Sequence, residues 1–335
     1  PVRSRPSPAA ARRPEAQGSV PPPPLGVARE ARLRRKRRGG HPALATIAPM
    51  RERLLLGPGP SNVSDAVRQA LARPTLGHLD PQFLELMDGL QADLREVPRT
   101  ANRLTIAVSG TGSAGMEALL TNTIEPGDRV VVAVNGVFGG RAADLLERLG
   151  AEVRRVAFPW GRAVDPDVVR RALAEAPPKA LFFVHAETST GVLSDAAALA
   201  EAAHDHGALA LMDCVTSLGG VAVDIDAWQI DGAFSGTQKC LGVPPGLAPL
   251  TLGRRALEAL DRRTRPVPSW YLDLGMVRAY WGPERTYHHT APVNMLYALA
   301  AGLRRVLDEG LEARIARHAA AHERLATGLA RMGLD

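Results

Sequence analysis

The sequence predicts an α/β protein with a mostly parallel central sheet sandwiched by helices. Three observations predict it. From Met50 onward, short apolar runs alternate with amphipathic stretches. The apolar runs are continuous rather than alternating, as strands covered on both faces are. Small-residue loops and lone acids follow several of those runs, where an open parallel sheet gathers its ligands.

The elements follow in order. LTIAV (104–108) is the first strand and leads into a helix over 113–123. RVVVAV (129–134) precedes a helix over 138–149, and EVRRVAF (152–158) one over 165–176. ALFFVHA (180–186) precedes a helix over 194–206. ALALMD (208–213) and LAPLTLG (247–253) are the last two strands, the second followed by a helix over 254–261. From about residue 298 the text reads as two helices up to Asp335. This layout assigns residues 50–305 to a large domain with its N-terminal segment, and 306–335 to the start of a truncated small domain.

Residues 1–49 differ in kind. They are proline-rich, then basic, without an apolar period, and read as a disordered extension. Met50 is expected to be the natural start, with a transit peptide as the rival reading. The extension also distorts the charge. The chain carries +6 overall, yet its first 49 residues hold eleven basic residues and two acids. The remaining 30 basic and 33 acidic residues leave the body slightly acidic, which argues against a nucleic-acid surface. No apolar run approaches the roughly 20 residues of a membrane span. Cys214 and Cys240 lack metal or CxxC spacing and suit a reduced, cytoplasmic protein.

Four stretches carry chemistry. SGTGSAGMEALL (109–120) places glycines and hydroxyls where a strand passes into a helix, a cradle for a phosphate. Gly110, Gly112 and Gly115 also spell a dinucleotide fingerprint, but the next strand ends in Asn135, where the ribose would need an acid. Asp213 closes ALALMD as a candidate catalytic acid, metal ligand or partner of a heterocyclic N–H. Lys239 lies in SGTQK, in a chain with only three lysines among 41 basic residues. Arg cannot lose its proton near neutral pH and Lys can, so a lysine kept there suits Schiff-base chemistry. TYHHTAP (286–292) offers hydroxyls for an anion; its two histidines would point apart on a strand, so no metal site is expected. HDH (204–206) reads as a solvated helix end. A phosphate cradle, a carboxylate for a ring nitrogen and a Schiff-base lysine are together the parts of a pyridoxal 5'-phosphate site.

Those blocks, with LLLGPGPSNVS, GHLDPQF, NGVFGGRAADL, HAETSTGVLSD and MDCVTSLGG, resemble the class V aminotransferases of fold type I over Leu54 to Asp335. The resemblance implies a pyridoxal-phosphate enzyme that moves an amino group from a small amino acid, alanine or serine, to glyoxylate or pyruvate. It implies Lys239 as the Schiff-base lysine and proton carrier, and Asp213 as partner of the pyridine nitrogen. Thr111, Gly112, Ser113 and Gln238 would hold the phosphate. Phe138 would stack on the ring, and Thr188 would lie near its hydroxyl. Gly57, Pro58 and Gly59 would border the substrate. Tyr287 and Thr290 would reach the phosphate of a second subunit, which makes a homodimer the expected partner. The family's substrate-binding arginine is expected beyond Asp335. Phe138 and Ser113 stand where mammalian relatives have Trp and His. The alternatives are an aminoethylphosphonate or ureidoglycine transaminase, a cysteine-desulfurase-like lyase, an NAD-dependent oxidoreductase, and an inactive cofactor-binding fragment.

Overall fold

A computed structural model describes residue 51 and residues 53–334 of the chain. The readings placed on residues 1–49 and on Met50 lie outside them. Two helices precede the sheet: α1 (Asp65–Leu71), capped by the Ser64 hydroxyl, and α2 (Pro81–Glu96), capped by the Asp80 carboxylate with Pro81 in its first turn. Then come β1 (Leu104–Ser109), α3 (Gly112–Thr123), β2 (Arg129–Val134), α4 (Val137–Arg148), β3 (Glu152–Ala157), α5 (Pro166–Ala174) and β4 (Ala180–Val184). A small ribbon, β5 (Ala186–Glu187) with β6 (Val192–Leu193), leads to α6 (Ala196–Asp205) and β7 (Leu209–Asp213). The chain continues through β8 (Gly232–Phe234), β9 (Leu247–Leu252), α7 (Arg254–Asp261), α8 (Leu274–Trp281), α9 (Val293–Glu309) and α10 (Leu311–Arg331).

All six expected strands are present, as are the helices that separate them. The run expected to 186 ends earlier, at Val184, because Ala186 and Glu187 turn out of the sheet to pair with Leu193 and Val192. Strand β8, three residues long, and helices α1, α2 and α8 are elements that the sequence pattern does not announce.

Seven strands form one sheet in the order β1-β9-β8-β7-β4-β2-β3. Only β9 runs antiparallel to its neighbours. The mostly parallel α/β architecture is therefore the one expected. Strands β4, β7 and β8 are buried along their whole length, and Phe182, Phe183 and Phe234 are fully enclosed. Each such ring contributes on the order of 2 kcal/mol by burial. Gly115 lets α3 lie close on the sheet: a Cβ there would sit 2.8 Å from Ala248 Cβ.

The connections decide where a ligand can go. From β2 the chain steps outward to β3, whereas from β4 it steps inward to β7. The loops after β2 and β4 thus part at their carboxyl ends, and a crevice opens there. Asn135, Glu187, Asp213 and the loop after β8 all lie along that edge.

Candidate active site

Lys239 follows β8 in a loop held from several sides. The Thr237 hydroxyl donates to Pro244 O at 2.6 Å. Ser61 holds the main chain, its N–H donating to Gln238 O at 2.9 Å and its hydroxyl to Lys239 O at 2.9 Å. The preceding residues lie on the lysine side chain itself. Lys239 Nζ donates to Pro58 O at 3.0 Å. Gly59 adopts φ +142°, and a Cβ there would stand 2.6 Å from Lys239 Cδ and 2.8 Å from Nζ. Only glycine satisfies both demands. Burial lowers the lysine pKa, while Asp213 and Cys240 oppose that shift. A more readily deprotonated amine is the form that attacks carbonyls.

Asp213 ends β7 and is almost wholly buried. Its Oδ1 accepts from Val215 N–H at 2.8 Å. Burial raises its pKa to about 7; Glu187 adds to the rise, while the Val215 bond and Lys239 lower it. A carboxylate in that position favours a cationic partner. Beside it, His185 is buried, with Nδ1 3.0 Å from Ser217 Oγ and its ring edge-on to Trp228. Burial lowers the imidazole to about 4, so it is neutral. His185 N–H donates to Asp213 O at 2.9 Å and fixes the end of β7.

The first turn of α3 meets the same edge. Thr111 is the N-cap residue, yet its hydroxyl makes no capping bond, and Ser113 is exposed beside it. The first-turn N–H groups are therefore not taken by a side-chain cap and are open to an anion. Gly112 packs against the loops of the other strands: a Cβ there would lie 3.3 Å from Val215 Cγ2 and 3.6 Å from Gly236 Cα. The start of this helix and the lysine loop are thus one packed unit.

Glu187 is the residue that sequence reasoning missed. Its carboxylate is buried and accepts from Phe138 N–H at 3.1 Å, Ser189 N–H at 3.1 Å and Ser189 Oγ at 2.6 Å. Ser189 Oγ in turn accepts from Val137 N–H at 2.9 Å. One carboxylate therefore caps α4 across 49 residues and sets the position of Phe138, whose ring carries the Arg141 guanidinium 4.8 Å from its centre. Thr188, the next residue, shares a hydrogen bond with Thr216.

Tyr287 and Thr290 are exposed and bond to each other at 3.3 Å. Among the described residues, neither hydroxyl bonds to the Lys239 group. Their neighbours depart from expectation. His288 and His289 do not point apart, because they lie in a loop rather than a strand, with Nδ1 atoms 2.8 Å apart. His204 is likewise not a solvated side chain but bonds Asp231 Oδ2 at 2.9 Å. Among the described residues, no group of three or more acids, histidines or cysteines could hold a metal ion. In the same residues no helix is long and apolar enough to cross a membrane.

These residues fit pyridoxal phosphate. The helix that begins at Gly112 has no side-chain cap, which leaves first-turn N–H donors open to a phosphate. Asp213 offers the buried carboxylate that a protonated ring nitrogen requires, and Lys239 the amine. Comparison with known proteins agrees. The family described as aminotransferase class-V matches residues 60–334. The (S)-ureidoglycine–glyoxylate transaminase of Bacillus subtilis is 38% identical over 300 residues, covering 84% of this chain and 72% of that protein. The alanine–glyoxylate aminotransferase of Drosophila melanogaster is 37% identical over 285 residues, with the same coverage. The crystal structure of the alanine–glyoxylate aminotransferase from Nostoc sp. has a TM-score of 0.84 at 47% identity, covering 90% of this chain and 78% of that one. The chain belongs to the class-V aminotransferase family and is a pyridoxal-phosphate-dependent transaminase of fold type I.

Proposed function

We propose that the protein moves an amino group from alanine or serine to glyoxylate or pyruvate, with Lys239 as the proton carrier. The observation that carries this reading is the placement of Lys239, its Nζ held by Pro58 O at 3.0 Å, and of the buried Asp213 carboxylate at one sheet edge. Bound pyridoxal phosphate supplies a carbonyl that condenses with amines and a ring that takes up the electron pair left when an α-proton departs. Lys239 Nζ removes the proton from the substrate Cα, and Pro58 O holds that amine in place beforehand. Asp213 would hold a proton on the ring nitrogen. Thr111, Gly112, Ser113 and Gln238 would bind the phosphate, Phe138 would cover the ring and Thr188 would meet its hydroxyl. Gly57, Pro58 and Gly59 border the substrate.

Relatives named for alanine and for ureidoglycine donors share glyoxylate as acceptor, which supports glyoxylate here. A desulfurase-like lyase has less support. Cys240 Sγ donates to Thr216 O at 3.3 Å and Cys214 Sγ to Phe234 O at 3.2 Å, and burial raises the pKa of both thiols. The proposal includes a cytoplasmic homodimer in which Tyr287 and Thr290 serve the partner's phosphate, and a small domain that begins at residue 306.

Lys239→Ala should lower kcat by about 10²–10⁴-fold, the usual contribution of a positioned base. A panel of alanine, serine and cysteine with glyoxylate and pyruvate reads the substrates. Keto acid from alanine or serine supports the assignment. Sulfide from cysteine, with no amino transfer, would sink it.

A further inference from the structure

We infer that His289 is a positioning residue for the phosphate cradle and that His288 fixes the protonation pattern that lets it act. The inference rests on the reading of Thr111–Ser113 as the phosphate site. Three polar contacts carry it. Ser109, two residues before Thr111, has Oγ 2.8 Å from His289 Nε2. His289 Nδ1 stands 2.8 Å from His288 Nδ1. His288 Nε2 stands 3.1 Å from the carbonyl oxygen of Trp270.

Elementary hydrogen-bond chemistry orients this chain. A carbonyl oxygen only accepts, so His288 Nε2 carries a hydrogen. The Nδ1 of neutral His288 is then bare and accepts from His289 Nδ1–H. The Nε2 of neutral His289 is bare in turn and accepts from the Ser109 hydroxyl. Charging His288 would set its new Nδ1–H against the His289 Nδ1–H across 2.8 Å, and charging His289 would put an N–H at Nε2 and reverse the Ser109 bond. The surroundings match the neutral pair. His288 is buried and stacks on Trp270 with ring centres 4.4 Å apart, and His289 lies against Tyr271 at 4.8 Å.

The consequence is mechanical. Ser109 ends β1, and Gly110 N–H donates to Gly246 O at 3.0 Å, so the cradle is fixed on its sheet side. The histidine chain fixes it on the other side, to the loop that carries Tyr287 and Thr290 and to the segment at Trp270. A loosened Ser109 would blur the first turn of α3 without touching Lys239 or Asp213. The loss would therefore fall on the phosphate and spare the ring.

The test compares two probes on the full chain stripped of cofactor: pyridoxal phosphate, and pyridoxal without its phosphate. Ser109→Ala and His289→Phe should each weaken pyridoxal phosphate binding by roughly five- to tenfold, the size of one or two hydrogen bonds, and leave pyridoxal binding unchanged. His289→Gln places an amide oxygen where Nε2 stood and should recover most of that loss. Equal weakening of both probes would show mere structural damage and overturn the inference, as would no weakening of either. If the variants fail to fold, ¹⁵N imidazole shifts of the wild type decide it. Nε2–H on His288 with Nδ1–H on His289 is the expected pair, and the opposite tautomers or a charged ring overturn it. Wild-type protein that binds pyridoxal but gains nothing from the phosphate would instead defeat the phosphate-site reading beneath it.

Discussion

Asp213 is the residue whose acid–base chemistry the fold alters most within the site. Its carboxyl is held at about 7 against an ordinary 3.8, chiefly by burial. The folded chain therefore binds that proton more tightly than the unfolded chain. The stability so gained is complete below the ordinary carboxylate value and is lost as pH rises toward 7. In cofactor-free protein the unfolding free energy should fall across that window, by about 1.4 kcal/mol for each pH unit. Asp213→Asn should remove the fall and make the cofactor-free protein more stable than wild type at pH 8, while abolishing efficient transamination. Urea denaturation at pH 5 and pH 8 checks it; equal pH dependence of the two proteins would refute the assignment. Asp213 and Lys239 are legible in the sequence because their chemistry belongs to the residue type: arginine cannot replace one, nor an amide the other. Glu187 sits inside a legible motif, yet nothing local singles it out. Its role is defined by a backbone N–H 49 residues away, that of Phe138, which no local pattern reports.

Helix α4 shows what that buried carboxylate does for a whole element. Gly136 precedes its first turn with extended backbone, φ 177°, that any residue can adopt, so space and not conformation demands the glycine. A Cβ there would stand 2.4 Å from Glu187 Cγ and 2.6 Å from Ser189 Oγ. Gly136→Ala should push Glu187 from the helix end, lower stability by about 1–3 kcal/mol and weaken cofactor binding through Phe138. Gly140, in the same helix, is different: a Cβ added there would meet no atom within 4 Å. Gly140→Ala should accordingly stabilise by about 0.4–1 kcal/mol. Thermal melts of the two variants should move in opposite directions. Most elements are legible because buried strands and amphipathic helices differ in period. Helices α1, α2 and α8 carry their own signals, Ser64, Asp80 and Asp273 as caps, which the alternating pattern of the sheet region overshadows. Strand β8 has only Gly232, Ala233 and Phe234, too few residues to show a period.

At the scale of the molecule, strand order is the least legible feature, because it depends on contacts between distant segments. One residue at the edge opposite the site ties several together. Asp231 precedes β8, and its side chain is 6% exposed. Its Oδ2 accepts from Ala210 N–H at 2.9 Å in β7, from Arg255 at 2.8 Å in α7, and lies 2.9 Å from His204 Nε2 in α6. Its main chain adds bonds from Gly253 N–H at 2.7 Å and to Ala210 O at 3.0 Å. One strand and two helices thus meet on one carboxylate, at the end of the strands away from Lys239. Removing it leaves the buried Ala210 N–H unpaired and takes one partner from Arg255, which keeps its bonds to Gly207 O and Ala208 O; the loss costs about 1–3 kcal/mol. Asp231→Ala should therefore lower the urea midpoint strongly, yet keep the wild-type KM and kcat at temperatures where it remains folded. Asp231→Asn keeps an oxygen acceptor and should lose less. A variant that kept its stability but lost transamination would place Asp231 in the chemistry and contradict this division between the two edges of the sheet.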